Sequence, residues 1–199
     1  MNKPHTDDFI KYLTNRENLP YTLDILSQGN EIRRRVFCEF WRGVQQMLRD
    51  STPRALRSEK LSWALWPDEK RMDSESAGVY LWPSQSGKQN QGINFSVVRD
   101  SNQSLFFGLS WEKAPKPSLL KLPSVRRLID FLSEKEFKPT TWWLGWKYIN
   151  RNQDEDGLLL GYARDRGAIH GQIQESFWPF AEESFDMVVK ANKAVRDSI

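Results

Sequence analysis

The sequence predicts an α+β protein, an antiparallel sheet of about six strands with helices packed on one face. Three observations carry that expectation. Residues 30–51 repeat apolar side chains at spacings of three and four, the mark of one long amphipathic helix. From Leu61 onward the apolar period falls to two in a series of short runs. Most links between neighbouring runs are short and polar, which argues for antiparallel pairing, while helical patterns gather towards the ends of the chain.

The elements follow in order. Residues 6–16 read as a short helix capped by Thr6, with Asp7 and Asp8 in its first turn and Phe9, Ile10 and Leu13 as apolar contacts. Residues 21–27 fit a helical turn and a short strand equally, and Gln28, Gly29 and Asn30 punctuate the chain. The central helix, 30–51, takes Asn30 as N-cap and sets Glu31 at the positive end of its dipole. It turns Ile32, Val36, Phe40, Val44, Met47 and Leu48 towards a core, with Phe37 and Trp41 widening that face. Ser51, Thr52 and Pro53 stop it.

Leu61, Trp63 and Leu65 mark the first strand, and Pro67 with the polar run to Ser76 makes a loop. The second strand, 78–82, is closed by Pro83, and the polar stretch 84–91 leads to a third on Ile93, Phe95 and Val97. Turn residues 100–103 precede a fourth strand, in which Leu105, Phe107, Leu109 and Trp111 share a face. After the stiff APKPS connection, Pro123 opens a helix on Val125, Leu128, Ile129 and Leu132 that ends near Phe137. Trp142, Leu144, Trp146 and Tyr148 alternate with Trp143, Gly145 and Lys147 as a fifth strand, and 158–163 read as a sixth beyond the loop NRNQDEDG. A final helical region begins near Ala168, breaks around Trp178 and Pro179, and resumes over 180–197. One domain over 1–199 is expected, with residue 115 as the place where two lobes would part.

Composition sets bounds on function. Hydrophobic residues are 39% and charged residues 28%, values of a globular chain. Net charge is only +3, so any basic function must come from local clustering. A lone cysteine, Cys38, cannot close an internal disulfide, and no run of 18 apolar residues occurs. A cytoplasmic location, in a bacterial or phage-type protein, is the expectation.

Several chemistries are poorly supplied. Two histidines, His5 and His170, with one cysteine do not make a zinc site, and neither metal nor cofactor is expected. Asn152, Asp154, Asp156 and Gly157 resemble the front of a calcium loop, but its twelfth position is Ala163, which offers no carboxylate. No GxSxG elbow is present, and Cys38 lies among Phe37 and Phe40 as an inert thiol. Gly87 and Lys88 sit in SQSGKQNQG without the first glycine or the hydroxyl residue of a phosphate loop. Asp68, Glu69 and Lys70 spell a nuclease-like triplet and Trp111, Glu112 and Lys113 nearly do, yet both read as chance in so charged a chain.

Two features remain. Arg35, Arg42 and Arg49 are seven apart and so form one stripe on the central helix, with Arg33 and Arg34 beside them and Arg54 and Arg57 just beyond. The plain alternative is a solvated face paired with neighbouring acids. The cluster of Trp142, Trp143, Trp146 and Tyr148 is the second, with strand alternation putting Trp143 opposite Trp142 and Trp146. The expected function is therefore non-catalytic binding of a macromolecule, a protein before a nucleic acid. Arg34, Arg35, Arg42, Arg49, Arg54, Arg57 and Trp143 are the candidate contacts. A carboxylate- or metal-dependent enzyme such as a nuclease is the rival class, and a small-ligand pocket walled by tryptophans is the third.

Overall fold

In the computed structural model, residues 4–59, 61–66, 77–83, 92–100, 104–150 and 157–198 are described. Their order is helices α1 (Pro4–Thr14), α2 (Leu19–Ser27) and α3 (Gly29–Asp50), strands β1 (Leu61–Trp66), β2 (Gly78–Pro83), β3 (Ile93–Arg99) and β4 (Leu105–Trp111), helix α4 (Pro123–Glu134), strand β5 (Trp143–Asn150), and helices α5 (Gly157–Arg164) and α6 (Arg166–Asp197). The five strands form one antiparallel sheet in the order β1-β2-β3-β4-β5. Each pairs with its neighbour in sequence, so the topology is a meander, with α4 inserted before the last strand.

Alternation decides which face is dry. Leu81, Phe95 and Leu109 stand opposite one another across β2, β3 and β4, as do Val79, Val97 and Phe107. All six are buried on the face covered by α3, α4 and α6. Phe95 lies between Phe177, Phe180 and Phe185 of α6, at ring separations of 6.4, 6.0 and 6.3 Å. Such aromatic contacts stabilise by geometry as well as by burial. α3 adds Phe37, Phe40, Trp41, Val44 and Leu48 to the same core, and the Arg99 guanidinium lies 4.0 Å from the Phe37 ring centre.

Several expectations need correction. α3 begins at Gly29, so Asn30 is inside the helix and is not its cap; Gln28 occupies that position, and its side chain makes no capping hydrogen bond to α3. α1 likewise starts two residues before Thr6 and ends before Arg16. Residues 21–27 belong to a helix. Ile32 and Val36, expected in the core, are exposed in the first turns of α3, and its buried face begins only at Phe37.

Residues 158–163 are helical, not a sixth strand. Leu158 and Tyr162, one turn apart, are buried against α3 and α6, a spacing that suits a helix and not alternation. α6 runs unbroken through Pro179. The proline ring is exposed while Phe177, Trp178, Phe180 and Ala181 around it are buried, so packing on the sheet outweighs the one missing N–H. The calcium-like residues Asn152, Asp154 and Asp156, the triplet Asp68, Glu69 and Lys70, and the Gly87 and Lys88 stretch lie outside the described residues.

Among the described residues, no helix is long and apolar enough to cross a membrane.

Candidate functional site

The arginines of α3 meet different fates. Glu31 accepts from Arg34 through Nε at 2.8 Å and Nη2 at 2.6 Å, and from Arg35 Nε at 2.7 Å. These hydrogen bonds, Arg34 first and Arg35 second, hold the Glu31 carboxyl down at about 2. Arg34 is half-buried by this arrangement, whereas Arg35 keeps 75% of its side chain in solvent. Arg42 is exposed. The Arg49 guanidinium lies 6.0 Å from the Trp63 ring centre, at the junction of α3 with β1. Arg54 is exposed on a short 3-10 turn, and Arg57 donates from Nε to the Thr52 carbonyl at 2.9 Å. Part of the basic stripe therefore serves the helix end, and Arg35, Arg42 and Arg49 face outward.

Beside them is a surface that periodicity missed. α2 buries none of its residues. Tyr21 is 72% exposed and Leu26 70%, with Leu23 and Ile25 close behind, and Tyr12 of α1 and Ile32 and Val36 of α3 extend the same apolar character. These side chains are not on a disordered tail. Asn15 Oδ1 accepts from the backbone N–H groups of Glu17 and Asn18, Asn18 Nδ2 donates to the Tyr12 carbonyl, and Thr22 Oγ1 donates to the Leu13 carbonyl at 2.8 Å. The α1–α2 corner is thus specified by polar side chains while its apolar ones point to water. Exposed apolar surface of this extent is unusual on a monomer.

Trp143 lies elsewhere, on the face of the sheet opposite α3, α4 and α6. The β4–β5 register slips between Leu109–Gly145 and Ser110–Trp143, and again between Leu105–Asn150 and Phe106–Tyr148. This irregularity overrides simple alternation. Trp143 and Trp146 consequently both pack on Phe106, at 5.1 and 5.3 Å, instead of pointing apart. The sheet separates Trp143 from the arginines of α3, so the two features do not make one surface.

On that second face the strands contribute Trp66, Tyr80, Trp82 and Phe106, and with Trp142 and Trp143 these rings wall a cavity of about 930 Å³. Tyr80 and Trp82 stack at 6.0 Å, and burial pushes the Tyr80 hydroxyl well above its usual range. The cavity floor is polar. Asn94 Oδ1 accepts from Ser96 Oγ at 2.6 Å and from Ser110 Oγ at 2.7 Å. All three residues are buried. Glu112 and Lys113, the near-miss triplet, are merely exposed residues at its edge.

A third grouping joins α3, α5 and α6. Tyr162 Oη and His170 Nε2 are both buried without a hydrogen-bond partner among the described residues, their rings 5.5 Å apart. They meet over Gly43, where an added Cβ would collide with the Tyr162 hydroxyl and come within 3.9 Å of His170 Nε2. Burial raises the Tyr162 pKa and lowers that of His170, so the pair is neutral at pH 7. Cys38 is buried, as expected. Among the described residues no group of three His, Cys, Asp or Glu side chains is placed to hold a metal ion. No protein-family model, curated protein or solved structure matches this chain.

Proposed function

We propose that this chain works by binding another protein, which seats on the helical arm formed by α1, α2 and the first turns of α3. One observation carries the reading: a helix pair whose corner is held by side-chain hydrogen bonds leaves Tyr12, Tyr21, Leu23, Ile25 and Leu26 in solvent. Large aromatic and aliphatic side chains of this kind anchor protein interfaces when a partner desolvates them. Arg33 and Arg35 border the patch, which favours a partner whose apolar groove is edged by carboxylates. A twofold pairing of this chain through α3 would set those like charges against each other, so a different protein is the better occupant.

The test is purification of the tagged chain from its own cells, followed by light scattering. A stoichiometric second protein should accompany the wild-type chain and be lost on Tyr21→Ser with Leu26→Ser, and on Arg35→Glu, while Trp143→Ala retains it. These arm side chains are exposed, so melting temperature should hardly change. Retention of the same partner by all arm variants, or a homodimer that they abolish, overturns the proposal.

A further inference from the structure

The second face of the sheet holds a feature that the arm does not explain. Outer sheet faces that meet water carry polar groups with solvent around them, and inner ones carry apolar groups. Here rings stand around a polar centre that is itself little exposed: Asn94 at 1% and Ser110 at 4% line a cavity whose walls are tryptophan, tyrosine and phenylalanine, with Ser96 fully enclosed beside them. The two serine hydroxyls are spent within the trio. Both contact Asn94 Oδ1, and they stand 2.8 Å from each other. The amide is thereby oriented with its oxygen satisfied, and Nδ2, for which no partner occurs among the described residues, is the donor left to the cavity.

A donor held at a cavity wall in this way is met there by water or by a ligand acceptor. Aromatic walls select flat ligands, since every planar heterocycle offers a π-face for stacking. The volume suits a small molecule. The charge of the ligand follows from the same atoms. Aromatic cages for quaternary ammonium ions rely on ring faces alone. A floor that presents N–H hydrogens repels a cation and attracts a carbonyl oxygen. Trp66 and Trp142, 56% and 54% exposed, stand at the rim as the rings a ligand would cover last.

We propose that this cavity binds an uncharged heteroaromatic ring bearing a carbonyl oxygen, the chemistry of a pyrimidine or purine base, with the carbonyl accepting from Asn94 Nδ2 and the ring stacked on the tryptophans. The base has two possible sources, a free nucleoside-type molecule or a single strand of nucleic acid. The site shares no residue with the arm, so either proposal stands if the other falls.

Titration of the full chain with uridine and guanosine, a short oligouridylate and tetramethylammonium, read by calorimetry and tryptophan emission, tests it. At least one nucleoside should bind saturably, with affinity falling about tenfold or more on Asn94→Asp. A smaller loss, roughly threefold or more, is expected on Trp142→Ala, whose exposed ring is not needed for folding. Oligouridylate no tighter than the nucleoside identifies a free small ligand as the source. Much tighter, salt-dependent oligouridylate binding that also falls on both substitutions identifies a nucleic-acid strand. Absence of saturable binding by all three base-bearing probes, affinity unchanged by Trp142→Ala and Asn94→Asp, or preference for tetramethylammonium overturns the assignment.

Discussion

Asn192 on α6 and Ile93 at the start of β3 are joined by two hydrogen bonds between side chain and backbone. Ile93 N donates to Asn192 Oδ1 at 2.7 Å, and Asn192 Nδ2 donates to the Ile93 carbonyl at 2.9 Å. The β2–β3 pairing ends at Leu81–Phe95, and continuing that register would bring Pro83 opposite Ile93. Proline has no N–H to give. The asparagine amide supplies both the donor and the acceptor that a strand residue would have offered.

Asn192→Leu keeps the volume and leaves two buried backbone groups unpaired, at a cost of about 2–4 kcal/mol. Urea or thermal unfolding should show it as a fall in Tm of about 5–15 °C. Asn192→Asp keeps an acceptor for Ile93 N but sets a carboxylate against the Ile93 carbonyl. Burial and that carbonyl raise the folded pKa of the new carboxyl, so its protonated form can donate as the amide did. The deficit of this variant should be smallest in acid and grow as pH rises.

Glu31 sets a second pH dependence, of opposite sign. Its folded carboxyl is lowered from 4.5 to about 2 by Arg34 and Arg35. The pairing therefore contributes stability above the unfolded value and loses it as pH falls from 4.5 towards about 2. The glutamate is solvent-facing, so the effect is small. Thermal melts of wild type and Glu31→Gln should differ slightly near neutrality and converge as that acid range is crossed.

Glu136 occupies the left-handed region at φ 62°, just after α4. Phe137 N donates to the Leu132 carbonyl and Glu136 N to the Ser133 carbonyl, the bonding of a Schellman cap, in which glycine is the usual residue at this position. Glu136 is exposed and its only recorded ion pair among the described residues, with Lys147, spans 4.0 Å. Glu136→Gly should raise stability by about 1 kcal/mol, measured by urea denaturation.

Pro179 is exposed in the middle of α6 and cannot donate to the preceding turn. Pro179→Ala restores that N–H and should stabilise by about 1–2 kcal/mol without altering the core, checked by unfolding and by near-ultraviolet circular dichroism.

Periodicity was informative wherever one face of an element is dry. Leu105, Phe107, Leu109 and Trp111 alternate in the sequence and are all buried on one side of β4, and Phe40, Val44 and Leu48 mark the buried side of α3. It failed where tertiary packing overrode local preference. Pro179 argues locally for a break, yet the ring cluster around Phe95 holds both halves of α6 in line. A register slip in β5, invisible in composition, put Trp143 and Trp146 on one side. Asn94 and Ser96 are legible as alternating polar positions, but their enclosure with Ser110 depends on the pairing of β3 with β4. The outward Arg35 was legible from spacing. The exposed faces of α1 and α2 were not, since an apolar stripe reads the same whether or not anything covers it.

The placement of α6 behind every strand that it covers has a consequence during synthesis. Phe95 and Phe107 leave the ribosome well before Phe177 and Phe180, the rings they meet in the finished protein. For some seconds the nascent sheet has strand-forming, greasy segments with no lid, the kind of surface that chaperones hold and that neighbouring chains capture. Translation speed between β4 and α6, and chaperone supply while those residues emerge, then govern the yield of folded protein.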